Sequence, residues 1–248
     1  MQTFLVRLLT MVCLMGAIAG PAVAASAPTP VTLKASDGVV VHGLYYQSAH
    51  PKALILLFHQ AGSSKAEYAS IVPRLVDAGY SALAIDQRSG GDLFGPNETV
   101  KGLSHKATYL DAKKDLESAL AWAGEQKLPV AIWGSSYSSS LVFLVAAEHP
   151  DAVKAVLAFS PGEYFDQPSM VRDAAAKVKA PIYVTSANTA EEIDAARSIL
   201  AASPAAIKVQ YVPTSGGVHG SSTLIAAKNK AGAAANWDAV LAFLAKAL

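Results

Sequence analysis

Ser136 stands where a hydroxyl can act as a nucleophile. It lies in Val130-Ala131-Ile132-Trp133-Gly134-Ser135-Ser136-Tyr137-Ser138, an apolar run that breaks at a glycine, with a serine two places later and a helix-like segment beyond. The run reads as a buried strand. A serine on a sharp turn from such a strand into a helix is lifted clear of the backbone, open to a base on one side and to a carbonyl carbon on the other. Five of the six residues from Ser135 to Ser140 are serines, so a polar loop is the alternative, and the strand-like run before them favours the turn. A second stretch, His59-Gln60-Ala61-Gly62-Ser63-Ser64, follows another apolar run. Its small residues let a backbone amide turn inward toward the oxygen that becomes negative when a carbonyl is attacked, and one such donor is worth about 3 kcal/mol of barrier. Together with the amide of Tyr137 it would form a two-donor hole.

Strands must bring these groups together. The pattern predicts strands over Val31–Lys34 and Val39–Tyr46, joined at Asp37-Gly38 as an antiparallel edge hairpin. It then predicts strand Ala53–Phe58, helix Ala66–Ala78, strand Ser81–Ile85, helix Thr108–Glu125, strand Val130–Trp133 and a helix from Ser136 to Glu148. Strand Val153–Phe159, a short helix near Met170–Val178, strand Ile182–Ser186, helix Glu191–Ala202, strand Ile207–Val212 and helix Trp237–Ala247 complete the chain. Short apolar strands separated by helices argue for an α/β fold, a doubly wound and mostly parallel sheet covered on both faces. In such a sheet the reactive groups gather in the loops at the carboxyl ends of the strands. The one long irregular stretch is Ser89–Ala107.

Composition narrows the function classes. The 248 residues carry a formal net charge of +1 with acids and bases spread evenly, which argues against a nucleic-acid partner. Arg7, the uncharged run Leu8–Gly20, Pro21 and Ala22-Val23-Ala24 have the layout of a secretory leader. Residues 1–24 are therefore expected to be removed by a cut before Ala25, leaving residues 25–248 as a single domain in a periplasm or outside the cell. Leu8–Gly20 is too short to span a bilayer. Cys13, the sole cysteine, follows Val12 rather than a small residue, so no lipid anchor is expected and the mature chain has neither disulfide nor thiol nucleophile. Neither clustered metal ligands nor a phosphate-binding glycine loop occurs, and no cofactor is expected.

The turn Gly134-Ser135-Ser136-Tyr137-Ser138, the loop His59–Ser64 and the segment Asp86-Gln87-Arg88-Ser89-Gly90-Gly91 arrive in the order and spacing of the α/β-hydrolase superfamily. From about residue 31 to 248 the chain resembles its lidless, dienelactone-hydrolase-like carboxylesterases. The resemblance implies about eight strands, no cap domain, and a serine, acid and histidine in that chain order. Two positions depart from the family pattern: Ser138 replaces the second glycine of the elbow, and Gln60 replaces the glycine after the loop histidine. Ala61 is the favoured oxyanion amide in the altered loop. The implied order leaves His149 and His219 as bases; His149 ends the elbow helix about three turns from Ser136, and His219 lies in a flexible turn after the last strand. His219 is the expected base. For the acid, Ala187-Asn188-Thr189-Ala190-Glu191-Glu192 offers no aspartate. Thr189 and Glu192 have the spacing of a capping box, which gives Glu192 a structural task and favours Glu191. Glu163, after the preceding strand, is the rival, with Glu192 or an incomplete triad remaining.

The implied activity is acyl transfer on small carboxylic esters in an open cleft bordered by Ser89–Ala107 and Tyr164-Phe165. Two other readings stand beside it: a peptidase on the same fold, in which Glu163 could seat an amino terminus, and a catalytically silent binding protein.

Overall fold

The computed structural model describes residues 27–248, so the expected leader lies outside the described residues. Eight strands form one sheet: β1 (Thr29–Lys34), β2 (Val40–Tyr46), β3 (Ala53–Phe58), β4 (Tyr80–Ile85), β5 (Val130–Ser135), β6 (Val153–Phe159), β7 (Ile182–Thr185) and β8 (Lys208–Tyr211). Their spatial order is β1-β2-β4-β3-β5-β6-β7-β8. β1 is antiparallel to β2 and β2 to β4, while all later pairs are parallel. The helices are α1 (Val72–Asp77), α2 (Glu98–Lys101), α3 (Lys113–Glu125), α4 (Tyr137–Glu148), α5 (Met170–Ala175), α6 (Ala190–Ala202) and α7 (Ala233–Ala247).

Alternation along the central strands builds two apolar layers from apparently uniform runs. Leu54, Leu56 and Phe58 face a core shared with α3, α4, α5 and α6. Ile55 and Leu57 face the other way, with Ala131, Trp133, Leu157 and Phe159, onto α1 and α7. Burial on both faces is what makes β3, β4 and β5 apolar at nearly every position.

Three expectations shift. The hairpin turns at Gly38 (φ 89°), but of its two strands β1 alone lies at an edge of the sheet, because β2 also pairs with β4. The helix expected over Ala66–Ala78 is split into a 3-10 segment, Lys65–Tyr68, and α1. Pro73 explains the break: it lacks an N–H and its ring clashes with the carbonyl four residues back, so it is accommodated only in a first turn. The stretch Ser89–Ala107 contains α2, whose first turn is capped by Asn97 Oδ1 accepting from the Val100 amide at 2.9 Å.

Chain direction reverses most sharply between β5 and α4. A Cβ on Gly134 would lie 2.2 Å from the carbonyl oxygen of Ser138, so the helix can pass the strand only where a side chain is missing. Gly134→Ala is expected to destabilise the protein by about 1–3 kcal/mol through overpacking, read as a lower urea midpoint at unchanged m-value.

Candidate active site

Ser136 joins β5 to α4 with φ 57° and ψ −126°. A left-handed φ on a residue with a side chain costs on the order of 1–3 kcal/mol and persists only when its surroundings hold it. Here the Ser136 amide donates to the Phe159 carbonyl on neighbouring β6 at 2.8 Å. The hydroxyl, in a residue only 8% exposed, lies 2.7 Å from His219 Nε2. His219 follows β8, and its Nδ1 lies 2.8 Å from Glu192 Oε1. A carboxylate can only accept, so Nδ1 carries the proton and Nε2 is left as the acceptor for the Ser136 hydroxyl. One imidazole thus bridges a hydroxyl and a carboxylate.

The carboxylate against His219 is that of Glu192, which corrects the expectation of Glu191. Thr189 is the N-cap of α6, its hydroxyl accepting from the Glu192 amide at 3.4 Å, so Glu192 is the third helical residue. From there the side chain reaches back. Oε2 accepts from the Ala187 amide at 2.9 Å and Oε1 stays available to His219. Glu191, about 100° away around the helix, is exposed. Burial pushes the Glu192 carboxyl up, but hydrogen bonds from His219, Ser160 and the Ala187 amide outweigh it and bring the pKa down to about 2. The rival, Glu163, is occupied elsewhere: its two oxygens accept from the amides of Val171 (2.9 Å) and Arg172 (3.0 Å) in the first turn of α5. The same bonds count against Glu163 as a seat for an amino terminus.

The amides of Ala61 and Tyr137 have no acceptor among the described residues. For Ala61 the cause is visible one atom away. The Gln60 carbonyl, in the same peptide unit, accepts from His59 Nδ1 at 2.8 Å and from the Ser63 amide at 3.3 Å. A trans peptide aims its N–H opposite to its C=O, so holding the carbonyl down turns the Ala61 amide out. His59 is fully buried, and its Nε2 accepts from the Gln87 amide at 2.9 Å. Burial pushes its pKa down to about 4, so the ring is neutral near pH 7. Ser138, in place of the second elbow glycine, is also accommodated: its buried hydroxyl donates to the His59 carbonyl at 2.6 Å and accepts from Gln87 Nε2 at 2.8 Å.

Several residues here carried no local signal in the sequence. Ser160, itself in a left-handed conformation (φ 59°), accepts from the Gly220 amide at 2.9 Å beside His219. Tyr109 stacks on Tyr137 at 4.3 Å between ring centres. Tyr109 and Leu110 form one wall of an open cleft of about 600 Å³, and Tyr164 and Phe165 form the other. Tyr164 donates to the Ser160 carbonyl at 2.9 Å, which ties that wall to the segment beside His219.

His149 is at the far end of α4, its Nε2 3.7 Å from Glu117. It approaches Glu117 and Glu148 closely enough to suggest metal ligands. Lys113 already supplies the cation, 2.9 Å from Glu117 and 2.5 Å from Glu148.

The sheet, the antiparallel entry through β1 and β2, and the helices on both faces define an α/β hydrolase. The sequence profile of the family described as serine aminopeptidase, S33, matches residues 49–208, most of the chain, and the chain belongs to that family. No curated protein sequence gives a match. Among solved structures, the dienelactone hydrolase of Anabaena variabilis is similar, with TM-score 0.61 and 21% identity over 76% of this chain and 87% of that one. A thermostable carboxyl esterase of Bacillus coagulans gives TM-score 0.61 and 14% identity over 75% of this chain and 90% of that one. The esterase Pf2001 of Pyrococcus furiosus gives 0.57 and 16% over 75% and 80%. Identities this low show the shared fold.

The buried imidazole predicts a pH dependence of stability. His59 has a folded pKa of about 4 against 6.5 unfolded, so between those values the unfolded chain binds the extra proton. Stability is therefore full above pH 6.5 and falls as the pH drops toward 4. His59→Asn, which keeps a donor near the Nδ1 position but does not titrate, is expected to show a flatter fall of thermal midpoint over that window.

Proposed function

We propose that this protein is a serine hydrolase that cleaves carboxylic esters of small molecules. The observation that carries the reading is the single imidazole of His219 held between Ser136 Oγ at 2.7 Å and Glu192 Oε1 at 2.8 Å. His219 Nε2 takes the hydroxyl proton as Ser136 Oγ bonds to the ester carbon, and the carbonyl oxygen becomes an anion facing the amides of Ala61 and Tyr137. The imidazolium, stabilised by Glu192, returns the proton to the departing alcohol as the carbon–oxygen bond breaks. Water, deprotonated by the same imidazole, then attacks the acyl-enzyme. The acid is released and Ser136 regains its proton.

The apolar groups of the substrate enter the cleft between Tyr109-Leu110 and Tyr164-Phe165, whose size suits a small ligand. Peptide cleavage is the second reading, favoured by the family's description as serine aminopeptidase. The engagement of both Glu163 oxygens by α5 amides supports the ester reading instead, because it occupies the carboxylate that could seat an amino terminus. We also propose that the protein is exported and cut before Ala25, which N-terminal sequencing of the mature form tests.

A fluorophosphonate probe is expected to label the wild type and not Ser136→Ala, and equal labelling of both defeats the enzyme claim. Short p-nitrophenyl esters should be cleaved faster than aminoacyl anilides; the reverse order favours the peptidase. Glu192→Gln is expected to lower kcat/KM by about 10³-fold or more, with Glu191→Gln and Glu163→Gln within a few-fold of wild type. Tyr109→Ala should raise KM for esters with bulky apolar groups by about tenfold and leave acetate esters little changed.

A further inference from the structure

Behind the site lies a carboxylate for which the proposed reaction has no use. Glu67, in the 3-10 segment after the oxyanion loop, is only 1% exposed. Burying a carboxylate is expensive unless every oxygen finds donors, so its partners indicate what its position achieves. Oε2 accepts from the Gln60 amide at 2.9 Å. Oε1 accepts from the Ser135 hydroxyl at 2.7 Å, and that hydroxyl accepts from the Ser221 amide at 2.9 Å. Every direct partner donates, an arrangement that suits the ionised form even though burial raises the pKa of the group.

These contacts fall on three separate segments, each one or two residues from a group in the proposed reaction. Gln60 precedes Ala61, Ser135 precedes Ser136, and Ser221 follows His219 by two. The approach is close: a Cβ on Gly220 would sit 2.5 Å from Ser135 Oγ, and Gly220 has φ 65°, so the histidine loop is pressed onto the elbow at a residue only glycine can occupy. The carboxylate itself is fixed from the adjacent residue, since the Tyr68 hydroxyl donates to the carbonyl of Phe58 at the end of β3 at 2.7 Å.

We infer that Glu67 is a positioning residue whose buried carboxylate holds the oxyanion loop, the nucleophile elbow and the histidine loop in mutual register. The inference rests on the acyl-transfer reading of the same site. Glu67→Gln keeps the volume but removes the charge and one acceptor: with its oxygen on the Gln60 amide, its Nε2 must donate to Ser135 Oγ, which reverses that bond and leaves the Ser135 hydroxyl proton without its acceptor. In the full-length protein, kcat for a short p-nitrophenyl ester is expected to fall by about 10²-fold with KM within about threefold, the effect of a small misplacement of reacting groups. The low-field proton resonance of the His219 Nδ1–Glu192 hydrogen bond should broaden or vanish. Unchanged kcat and an unchanged resonance overturn the inference, whatever happens to thermal stability. If Glu67→Gln does not fold, Ser135→Ala, which removes the links of the elbow to Glu67 and to the Ser221 amide but leaves the Gln60 tether, is expected to lower kcat by about tenfold at similar KM; wild-type kcat in that variant counts against the inference. A wild type that neither hydrolyses esters nor takes the fluorophosphonate sinks the ester reading, while the resonance still decides whether Glu67 governs the loops.

Discussion

The site depends on a geometric constraint at one residue. β5 is buried on both faces and must hand over to α4 within a single step, because Gly134 and the carbonyl of Ser138 already touch. That reversal is made with Ser136 held at φ 57°. An isolated chain would relax it, and what prevents relaxation is the packing around it: the Phe159 carbonyl on the Ser136 amide, the His59 carbonyl on the Ser138 hydroxyl, and the stacked rings of Tyr137 and Tyr109. The same reversal that strains the backbone raises the hydroxyl toward His219 and leaves the Tyr137 amide, first in its helix, without a partner. The raised hydroxyl and the unpartnered amide are two consequences of one turn.

Glu192 shows how a carboxylate can serve structure and site together. At the third position of α6 it satisfies an amide near the helix start, and negative charge there is favourable to the helix dipole. Each oxygen has its own task, one on the Ala187 amide and one on His219 Nδ1. Hydrogen bonds from His219, Ser160 and the Ala187 amide keep the carboxylate ionised, and the helix start fixes its direction; both properties are what an imidazole partner requires. Capping does not compete with orientation of the histidine; it provides the rigidity for it.

That is also where the sequence was misleading. The strands, the elbow and the histidine loop were legible because each rests on local information: apolar runs, glycine at a turn, a histidine after the final strand. The acid depends on the phase of a helix, and a shift of one residue rotates a side chain by about 100°, so Glu191 and Glu192 differ entirely in what they can reach. The capping box is readable, but the structural task it gives Glu192 places Glu191 ahead of the residue that the structure uses. Pro73 was likewise visible, yet its effect on the expected helix over Ala66–Ala78 was overridden by the apolar pattern. Glu67 and Tyr109 left no trace in the sequence because their partners, Ser135 and Tyr137, lie 68 and 28 residues away and meet them only after the sheet has formed.

Two histidines in this structure make the same kind of hydrogen bonds with opposite consequences. His59 and His219 each donate from Nδ1 and accept at Nε2. The partners of His59 are a carbonyl and an amide in a fully buried setting, and neither compensates a charge on the ring. Burial therefore keeps it neutral, and its uncharged tautomer orients the Gln60–Ala61 peptide. The partners of His219 are a carboxylate and a hydroxyl, with 40% of the side chain open to solvent. When the hydroxyl proton moves onto that ring, the positive charge arises beside an existing negative one, whereas the same transfer to His59 would create an unpaired buried charge at a cost of several kcal/mol. The division between an imidazole that shapes the site and one suited to accept a proton in it thus lies in burial and in the charge of the group at Nδ1, not in the ring or its tautomer.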